Sequence, residues 1–307
     1  MSALADRRGS RNRRSRALWI ALAAPGAIWL IIFFVVPFYV MLCVAGGNVN
    51  EFFQTAVPVW NPLHWSTANL NAVWQDMTGP GAYIGPLAVR TIIYTAAATT
   101  ISMAIAYPVA YFVSRYAEGR KTLFLVLLIT PFWVSYMMRT LAWINLLQQD
   151  GLVNKALSFV GLPGNTDWLG GKPVTVIMGL VYGYIPYLIL VLYAFLDRID
   201  QSLLDAARDL GLSKWRTFVH VTIPLSKPAI VAGAFITVLP MVGDYFTNQL
   251  LSGAPGTAMI GNAIEGQLNS PGELGQGAVL SVMMLILLLI PMIYYVVSTA
   301  RTSREAA

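Results

Sequence analysis

The chain has 307 residues, of which 57% are hydrophobic and only 11% are charged. An average soluble domain carries about 25% charged residues, so this composition excludes an ordinary water-soluble protein. The formal net charge is +6, and the single cysteine, Cys43, excludes an intrachain disulfide and a multi-cysteine metal site.

Six runs of mostly apolar residues are each long enough to cross a bilayer, which takes about 20 residues of helix. The first run is too long for the apolar region of a signal peptide, about 7 to 15 residues, so we expect it to be retained. The sequence therefore predicts an all-α integral membrane protein with six transmembrane helices. The predicted spans cover residues 18–44, 89–114, 123–147, 174–196, 229–251 and 277–299.

The connections between the spans indicate how the chain is organised. Residues 1–17 form a basic tail, and residues 45–88 form the longest loop, which is rich in Pro, Asn, Trp and Gly. Tryptophan favours membrane interfaces, so this loop could hold short interfacial helices. Its tryptophans include Trp60, Trp65 and Trp74. We interpret residues 89–299 as a five-helix core, with the first span as an added peripheral helix and residues 300–307 as a second tail.

Lysine and arginine are concentrated on one side of the predicted topology. On that side are Arg7, Arg8, Arg11, Arg13, Arg14, Arg16, Arg115, Arg120, Lys121, Arg198, Arg208, Lys214, Arg216, Lys227, Arg301 and Arg304, and on the other are Arg90, Lys155 and Lys172. Because positively charged loops stay in the cytoplasm, both termini are predicted to be cytoplasmic. The arginine-rich tail is then a topology signal, and we expect no nucleic-acid partner. His64 and His220 fall on opposite sides, so we expect no shared metal site.

The polar segment 197–227 is long for a connection and keeps its helix-forming character. A first helix is predicted over about 201–210, ending at Gly211, which can adopt the left-handed conformation that terminates helices. Ser213 offers an N-cap for a second helix over 214–222, which Pro224 is expected to close. Such a segment could dock against another protein.

Five residues of this segment resemble a known signature. Asp205, Ala206 and Ala207 are followed by Gly211, six positions after the aspartate, and by Pro224 at nineteen. The pattern is similar to the EAA signature of permease subunits from bacterial ABC importers. That family has Glu in place of Asp205, commonly Ile in place of Val221 and commonly Leu in place of Ile223, so the departures keep the chemistry.

The resemblance extends over nearly the whole chain and favours one branch. Several phrases are similar to the spermidine/putrescine permeases: residues 131–133, 139–147 leading to 151–154, 239–253 and 259–262. Branches that carry thiamine, iron, sulfate and related solutes share the architecture, so they remain alternatives.

The resemblance implies a type I permease fold and an assembly in a bacterial inner membrane. It implies a second permease subunit, two ATP-binding subunits, an extracytoplasmic substrate-binding protein and contact with membrane lipid. Residues 197–227, named the coupling segment from here on, would dock in a cleft of the ATP-binding subunit. The chain lacks the Gly-x-x-x-x-Gly-Lys-Ser/Thr loop that cradles nucleotide phosphates. We therefore expect a transporter subunit that is not itself an enzyme, with no cofactor of its own, because the partner binds and hydrolyses ATP.

Charged residues within membrane spans are costly and usually mark a pathway or an ion pair, which directs attention to Asp244 and Arg139. At about 1.5 Å per residue, each lies roughly 22 to 24 Å from the cytoplasmic end of its predicted span. The two could therefore pair with each other. Alternatively, Asp244 faces the translocation path and attracts an ammonium group, assisted by Tyr245, Tyr136 or Trp143 through cation-π contacts.

Two other protein classes fit the sequence less well. A channel or secondary carrier predicts a polar track through the spans and gives no reason for a long helical cytoplasmic insertion. An intramembrane enzyme would need a catalytic set at membrane depth, and no such set is found.

Prolines in the spans leave one question open. Each could form a static kink or a hinge that bends during transport, and their number does not separate these alternatives. They are Pro37, Pro108, Pro131, Pro186, Pro240 and Pro291.

Overall fold

The computed structural model describes residue 19 and residues 21–50, 52–53 and 55–305. The predicted basic tail 1–17 lies outside these residues. The described helices are α1 (Ala21–Ala45), α2 (Ala68–Thr78), α3 (Ile84–Tyr116), α4 (Lys121–Ile129), α5 (Tyr136–Leu147), α6 (Leu152–Phe159), α7 (Pro173–Leu196), α8 (Gln201–Asp209), α9 (Lys214–Val242), α10 (Phe246–Leu251), α11 (Ile260–Asn269) and α12 (Leu274–Glu305). The described strands are β1 (Asn48–Val49) and β2 (Ala56–Val57).

Among the described helices, α1, α3, α7, α9 and the Leu274–Val297 part of α12 are each long and apolar enough to cross a membrane. The third predicted span is a bent pair, Lys121–Trp133 and Tyr136–Leu147, whose pieces meet at 87°. Counting the pair as one span gives the six that the sequence predicts.

The prediction of one continuous helix over 123–147 is wrong, and local backbone conformation explains why. Pro131 lacks an N–H and lies in the 3-10 turn Thr130–Trp133. Val134 and Ser135 then adopt extended ψ angles of 136° and 140°. The chain therefore changes direction before α5 begins.

The chain divides into two compact units, each of which is described by itself. Among the described residues, the larger unit comprises 75–266 and 287–305, and α3, α7 and α9 form its packed centre. Small residues bring these helices together: Ala106 and Ala110 of α3 and Ala229 of α9 are buried in one cluster with Leu188 of α7. A Cβ on Gly233 would lie 2.5 Å from Leu188 Cδ1, so α9 requires glycine at its closest approach to α7.

Among the described residues, the smaller unit comprises those from residue 19 to residue 74 together with 267–286. Its strands pair antiparallel, with Asn48 opposite Val57. Asn69 of α2 donates from Nδ2 to the carbonyls of Ala45 at 3.0 Å and Gly47 at 3.1 Å, which fixes the end of α1. The sequence prediction missed this hairpin because two-residue strands are too short to show an alternating pattern. The short helix α2 lies in the loop 45–88, where the tryptophans suggested that short helices could form.

Pro224 does not close a helix over 214–222 as predicted, because α9 continues through it to Val242. The turn before it, Phe218–Thr222, is π-helical, and the N–H of Ile223 donates to the carbonyl of Phe218, five residues back. A proline ring clashes with the carbonyl four residues back in a regular α-helix. The wider turn relieves that clash, so the helix can pass the proline.

The same arrangement occurs in α1. The π-helical turn Ile31–Val35 ends where the N–H of Val36 donates to the carbonyl of Ile31, and Pro37 follows. The two sites show that a proline near a span end need not terminate a helix.

Candidate functional site

The coupling segment begins with a capped helix. Asp200 precedes α8, and its Oδ1 accepts a hydrogen bond from the N–H of Ser202 at 2.9 Å. This hydrogen bond lowers the pKa of the Asp200 carboxyl below its ordinary value of 3.8. The stability that the charged cap contributes is present above the ordinary pKa and is lost as the pH falls through the lowered pKa.

The first coupling helix ends at Gly211, as the sequence predicts. Gly211 has a φ of +90°, its N–H donates to the carbonyl of Arg208 at 2.8 Å, and the N–H of Leu212 donates to that of Ala207 at 3.2 Å. Ser213 then caps α9, accepting the N–H of Arg216 at 3.3 Å. Both predicted caps are confirmed.

The structure brings four of the five signature residues together, on α8 and the turn that ends it. Asp205 is exposed and its Oδ1 accepts from Gln201 at 3.0 Å, while Ala207 is buried. Ala206 and Gly211 are exposed, and Pro224 lies apart on the exposed side of α9. Of the large apolar side chains that the segment exposes, Leu210 at 85% and Trp215 at 71% are the most exposed. Such exposure at a helical turn favours a docking surface.

Arg115, at the end of α3, fastens the coupling segment to the helical core. Its Nη2 donates to the carbonyls of Leu196 and Ile199, each at 2.9 Å, and its Nη1 donates to Gln201 Oε1 at 3.2 Å. One guanidinium thus joins α3, the end of α7 and the start of α8. The sequence prediction used Arg115 only as a topology signal.

A chain of aromatic contacts links the start of α9 to α3. Trp215 stacks on Phe218 with centroids 5.5 Å apart, and Phe218 contacts Tyr111 at 4.9 Å and Tyr107 at 5.6 Å. Because Phe218 lies in the π-helical turn, these contacts pack the turn, which belongs to the coupling segment, against α3.

A cavity of about 340 Å³ lies where α5 and α7 meet the end of α9 and the start of α10. We name it the Asp244 cavity. It is lined by Tyr136, Arg139, Gly183, Tyr184, Tyr187, Pro240, Gly243, Asp244, Tyr245 and Phe246. In the described ranges, no three His, Cys, Asp or Glu side chains are grouped as metal ligands would be.

Asp244 lies in a three-residue break, 243–245, between α9 and α10, and not inside a continuous helix over 229–251 as predicted. Its carboxylate explains the break: Oδ1 accepts the N–H of Thr247 at 2.9 Å and thereby starts α10. Oδ2 accepts from Thr247 Oγ1 at 2.7 Å and from Tyr184 Oη at 3.1 Å. Asp244 is only 8% exposed, and its three donors are all neutral.

Asp244 and Arg139 do not form the predicted ion pair. The ion pairs within 4.0 Å in the described part of the chain are Lys121–Asp197 and Arg208–Asp205. The depth estimate that suggested a pair assumed straight helices, and both spans are interrupted before these residues. The negative charge of Asp244 is therefore left without a cationic partner inside the described structure.

Arg139 is held on aromatic rings instead. Its guanidinium carbon lies 4.2 Å from the centroid of Phe132 and 5.7 Å from that of Tyr182. Its Nε donates to the carbonyl of Val134 at 3.1 Å, and its buried Nη1 has no hydrogen-bond partner among the described residues. Arg139 thus borders the Asp244 cavity while its charge is balanced by π-faces.

The three aromatic candidates from the sequence differ in position. Tyr136 lines the cavity and shares a short hydrogen bond with Thr247, and Tyr245 lines it while stacking on Phe246 at 4.3 Å. Trp143 contacts the ring of Tyr182 at 5.3 Å and is not a lining residue, so the structure does not place it with Asp244. The sequence prediction missed Tyr184, whose only signal was a hydroxyl within an apolar span.

Residues 2–304 match the family described as binding-protein-dependent transport system inner membrane component. The chain belongs to this family. As a family member it is a multi-pass permease component of the inner membrane, which confirms the resemblance that the coupling segment indicated.

Relatives of this permease include proteins named spermidine/putrescine permeases. The spermidine/putrescine transport system permease protein PotB of Salmonella typhimurium is 34% identical over 198 residues, covering 64% of this chain and 69% of PotB. PotB of Haemophilus influenzae is 29% identical over 276 residues, covering 87% of this chain and 89% of that protein. The inner membrane ABC transporter permease protein YdcU of Escherichia coli K12 is 32% identical over 233 residues, covering 72% of each chain.

Solved structures confirm the fold of the permease. A bacterial alginate ABC transporter in complex with an alginate pentasaccharide-bound periplasmic protein superposes with a TM-score of 0.72 at 15% identity, covering 93% of this chain and 94% of that one. A second structure, of a bacterial ABC transporter involved in the import of alginate, gives a TM-score of 0.68 at 18% identity, covering 96% of this chain and 99% of that one. The predicted type I permease fold is therefore confirmed.

Proposed function

We propose that this chain is the permease subunit of an ATP-driven importer for polyamines, and that its substrate passes the Asp244 cavity. The single observation that carries the cavity assignment is a carboxylate that is almost fully buried, hydrogen-bonded only by neutral groups and placed at a break between helices. The substrate class is supported by the relatives named spermidine/putrescine permeases.

The cavity suits an ammonium group on a methylene chain. Burying a carboxylate raises the free energy of the protein until a cation pairs with it. An arriving ammonium group is therefore attracted to Asp244. Tyr136, Tyr184 and Tyr245 offer π-faces to a cation, while Pro240 and Phe246 offer apolar surface to methylenes. A polyamine has both components.

Arg139 would restrict the positive charge that the cavity accepts. It carries the same sign as the substrate, and it is kept on the ring of Phe132 and bound to the carbonyl of Val134. A cation at Asp244 therefore meets a like charge on one wall, which favours passage over tight retention.

The coupling segment would transmit the work of a partner. We propose that an ATP-binding subunit, present in two copies, docks on α8 and its turn and hydrolyses the ATP, while a second permease subunit completes the path. Arg115 would carry the motion of α8 into α3 and α7. An extracytoplasmic binding protein would deliver the substrate on the side opposite both termini.

Uptake by the assembled transporter tests this proposal. The chain is co-expressed with its neighbouring gene products, and labelled spermidine uptake is measured with putrescine, thiamine and ferric complexes as competitors. Polyamines alone should compete. Competition by thiamine or ferric complexes, with none by putrescine, would move the chain to another branch of the family.

A charge-neutral variant tests the cavity. Asp244→Asn should lower uptake about 100-fold, because losing one partner of a buried charge pair costs about 2 to 5 kcal/mol. Asp150→Asn, which changes an exposed aspartate after α5, is the matched control and should leave uptake unchanged. Unchanged uptake in Asp244→Asn would remove Asp244 from the path.

A further inference from the structure

The start of α11 packs directly against the break that carries Asp244. A Cβ on Gly261 would lie 2.7 Å from the carbonyl oxygen of Gly243 and 3.1 Å from the carbonyl carbon of Asp244. These are backbone atoms, which cannot rotate aside as the end of a side chain can. Any residue larger than glycine at position 261 must therefore displace the break.

Asn262 ties the same break to its surroundings. Its Nδ2 donates to the carbonyl of Tyr245 at 3.0 Å, while its Oδ1 accepts from the N–H of Met259 at 3.0 Å and from Asn248 Nδ2 at 3.3 Å. One side chain thus joins the last residue of the break to α10 and to the turn before α11.

The loop before Gly261 is anchored to α3. The N–H of Ile260 donates to Thr91 Oγ1 at 2.8 Å, and Arg90 Nη1 donates to the carbonyls of Pro255 at 3.1 Å and Ala258 at 2.9 Å. The break at Asp244 is therefore braced, through residues 255–262, against one of the three helices of the packed centre.

We propose that Gly261 and Asn262 are positioning residues for Asp244. They hold the 243–245 break so that the carboxylate keeps its place in the cavity wall. Neither residue lines the Asp244 cavity, so each acts on the substrate only through the break. This inference rests on the proposed function, since it assumes that Asp244 meets the substrate.

The test compares two alanine substitutions in the same helix. Gly261→Ala should lower polyamine uptake by the assembled transporter about tenfold, since small displacements of positioned groups cost up to about 100-fold. Gly266→Ala is the control, because a Cβ there would meet no atom within 4 Å. Asn262→Ala, which removes the bond to the Tyr245 carbonyl without adding bulk, should lower uptake in the same direction. The amount of assembled complex is measured for each variant by copurification of the ATP-binding subunit.

A double variant separates positioning from a general structural role. In the Asp244→Asn background, Gly261→Ala and Asn262→Ala should cause little further loss, because the group that they position has already been neutralised. The inference would be overturned if the double variants lost uptake by the product of the two single losses. It would also be overturned if the loss of uptake were explained by a smaller amount of assembled complex.

The remaining outcomes distinguish this inference from the proposed function. One outcome is that Asp244→Asn lowers uptake while Gly261→Ala and Asn262→Ala leave it equal to that of the control Gly266→Ala. In that case only the positioning role fails. If Asp244→Asn leaves uptake unchanged, the cavity assignment fails, and the positioning role fails with it.

Discussion

The coupling segment and the Asp244 cavity are built by different kinds of interaction. The caps and turn of the coupling segment use hydrogen bonds between residues two to five positions apart, as at Asp200 and Ser213. The cavity joins distant positions: Tyr184 is 60 residues from Asp244, and Tyr136 is 111 residues from Thr247. A change in the first region should alter one docking surface, whereas a change in the second should alter several helices at once.

This difference predicts two separable defects. A defective cavity should still let the loaded binding protein stimulate ATP hydrolysis, but less polyamine should cross for each ATP. A defective coupling segment should weaken the response of hydrolysis to the binding protein or the attachment of the ATP-binding subunit itself.

After Asp244→Asn, the largest expected effect comes from Thr247→Val. It removes the hydroxyl that donates to Asp244 Oδ2 at 2.7 Å from a fully buried position, while the backbone bond to Oδ1 remains. Uptake should fall about thirtyfold, because a hydrogen bond to a charged group contributes about 2 kcal/mol.

Thr237→Val is the matched control for Thr247→Val. Thr237 is also fully buried, but its hydroxyl donates only to carbonyls of its own helix. Hydrolysis stimulated by the binding protein should persist in both variants. Equal uptake by the two variants would contradict a role for the Thr247 hydroxyl at Asp244.

Arg115→Ala should give the opposite defect. Loss of its three hydrogen bonds frees the start of α8 from α3 and α7, and stimulation of ATP hydrolysis should fall about tenfold, equivalent to about 1.4 kcal/mol. Arg120→Ala, an exposed arginine in the following turn, is the control. Normal stimulation in a stably assembled Arg115→Ala complex would show that the segment is coupled through other contacts.

The smallest expected effect sharpens the docking assignment. Gly211 and Gly119 both have positive φ angles, +90° and +71°, and a Cβ would meet no atom within 4 Å at either. Alanine at either position should destabilise the local turn by about 1 kcal/mol, which is about fivefold in its folding equilibrium. Only Gly211→Ala should reduce copurification of the ATP-binding subunit; an equal reduction in Gly119→Ala would indicate general destabilisation.

Most of the fold follows from local and compositional signals. Apolar runs place α3, α7 and the long helices near both ends, and Gly211 and Ser213 mark the coupling helices as predicted. Two of the errors in helix boundaries fall at Pro131 and Pro224, where the same residue type has opposite results. Pro131 is followed by extended residues and a sharp bend, whereas Pro224 follows a π-helical turn and leaves α9 intact. A proline lowers the stability of a regular helix, but the neighbouring packing decides how the chain responds.

The candidate site was only partly predictable for a related reason. Asp244, Arg139, Tyr136 and Tyr245 stand out as polar or aromatic residues in apolar runs, and the structure places all four around one cavity. Their partners could not be predicted, because a pairing between distant residues has no periodicity. The expected ion pair between Asp244 and Arg139 is replaced by Tyr184 and Thr247 on one side and by Phe132 on the other.

The sequence by itself determined that the chain is a membrane permease with a capped helical coupling segment, since hydrophobic length, helix caps and a short signature are local properties. Only the tertiary structure decided where α9 stops, which neutral groups hold Asp244 and how Gly261 and Asn262 brace the break. These features depend on backbone approach and hydrogen bonds between residues that become neighbours only when the helices pack.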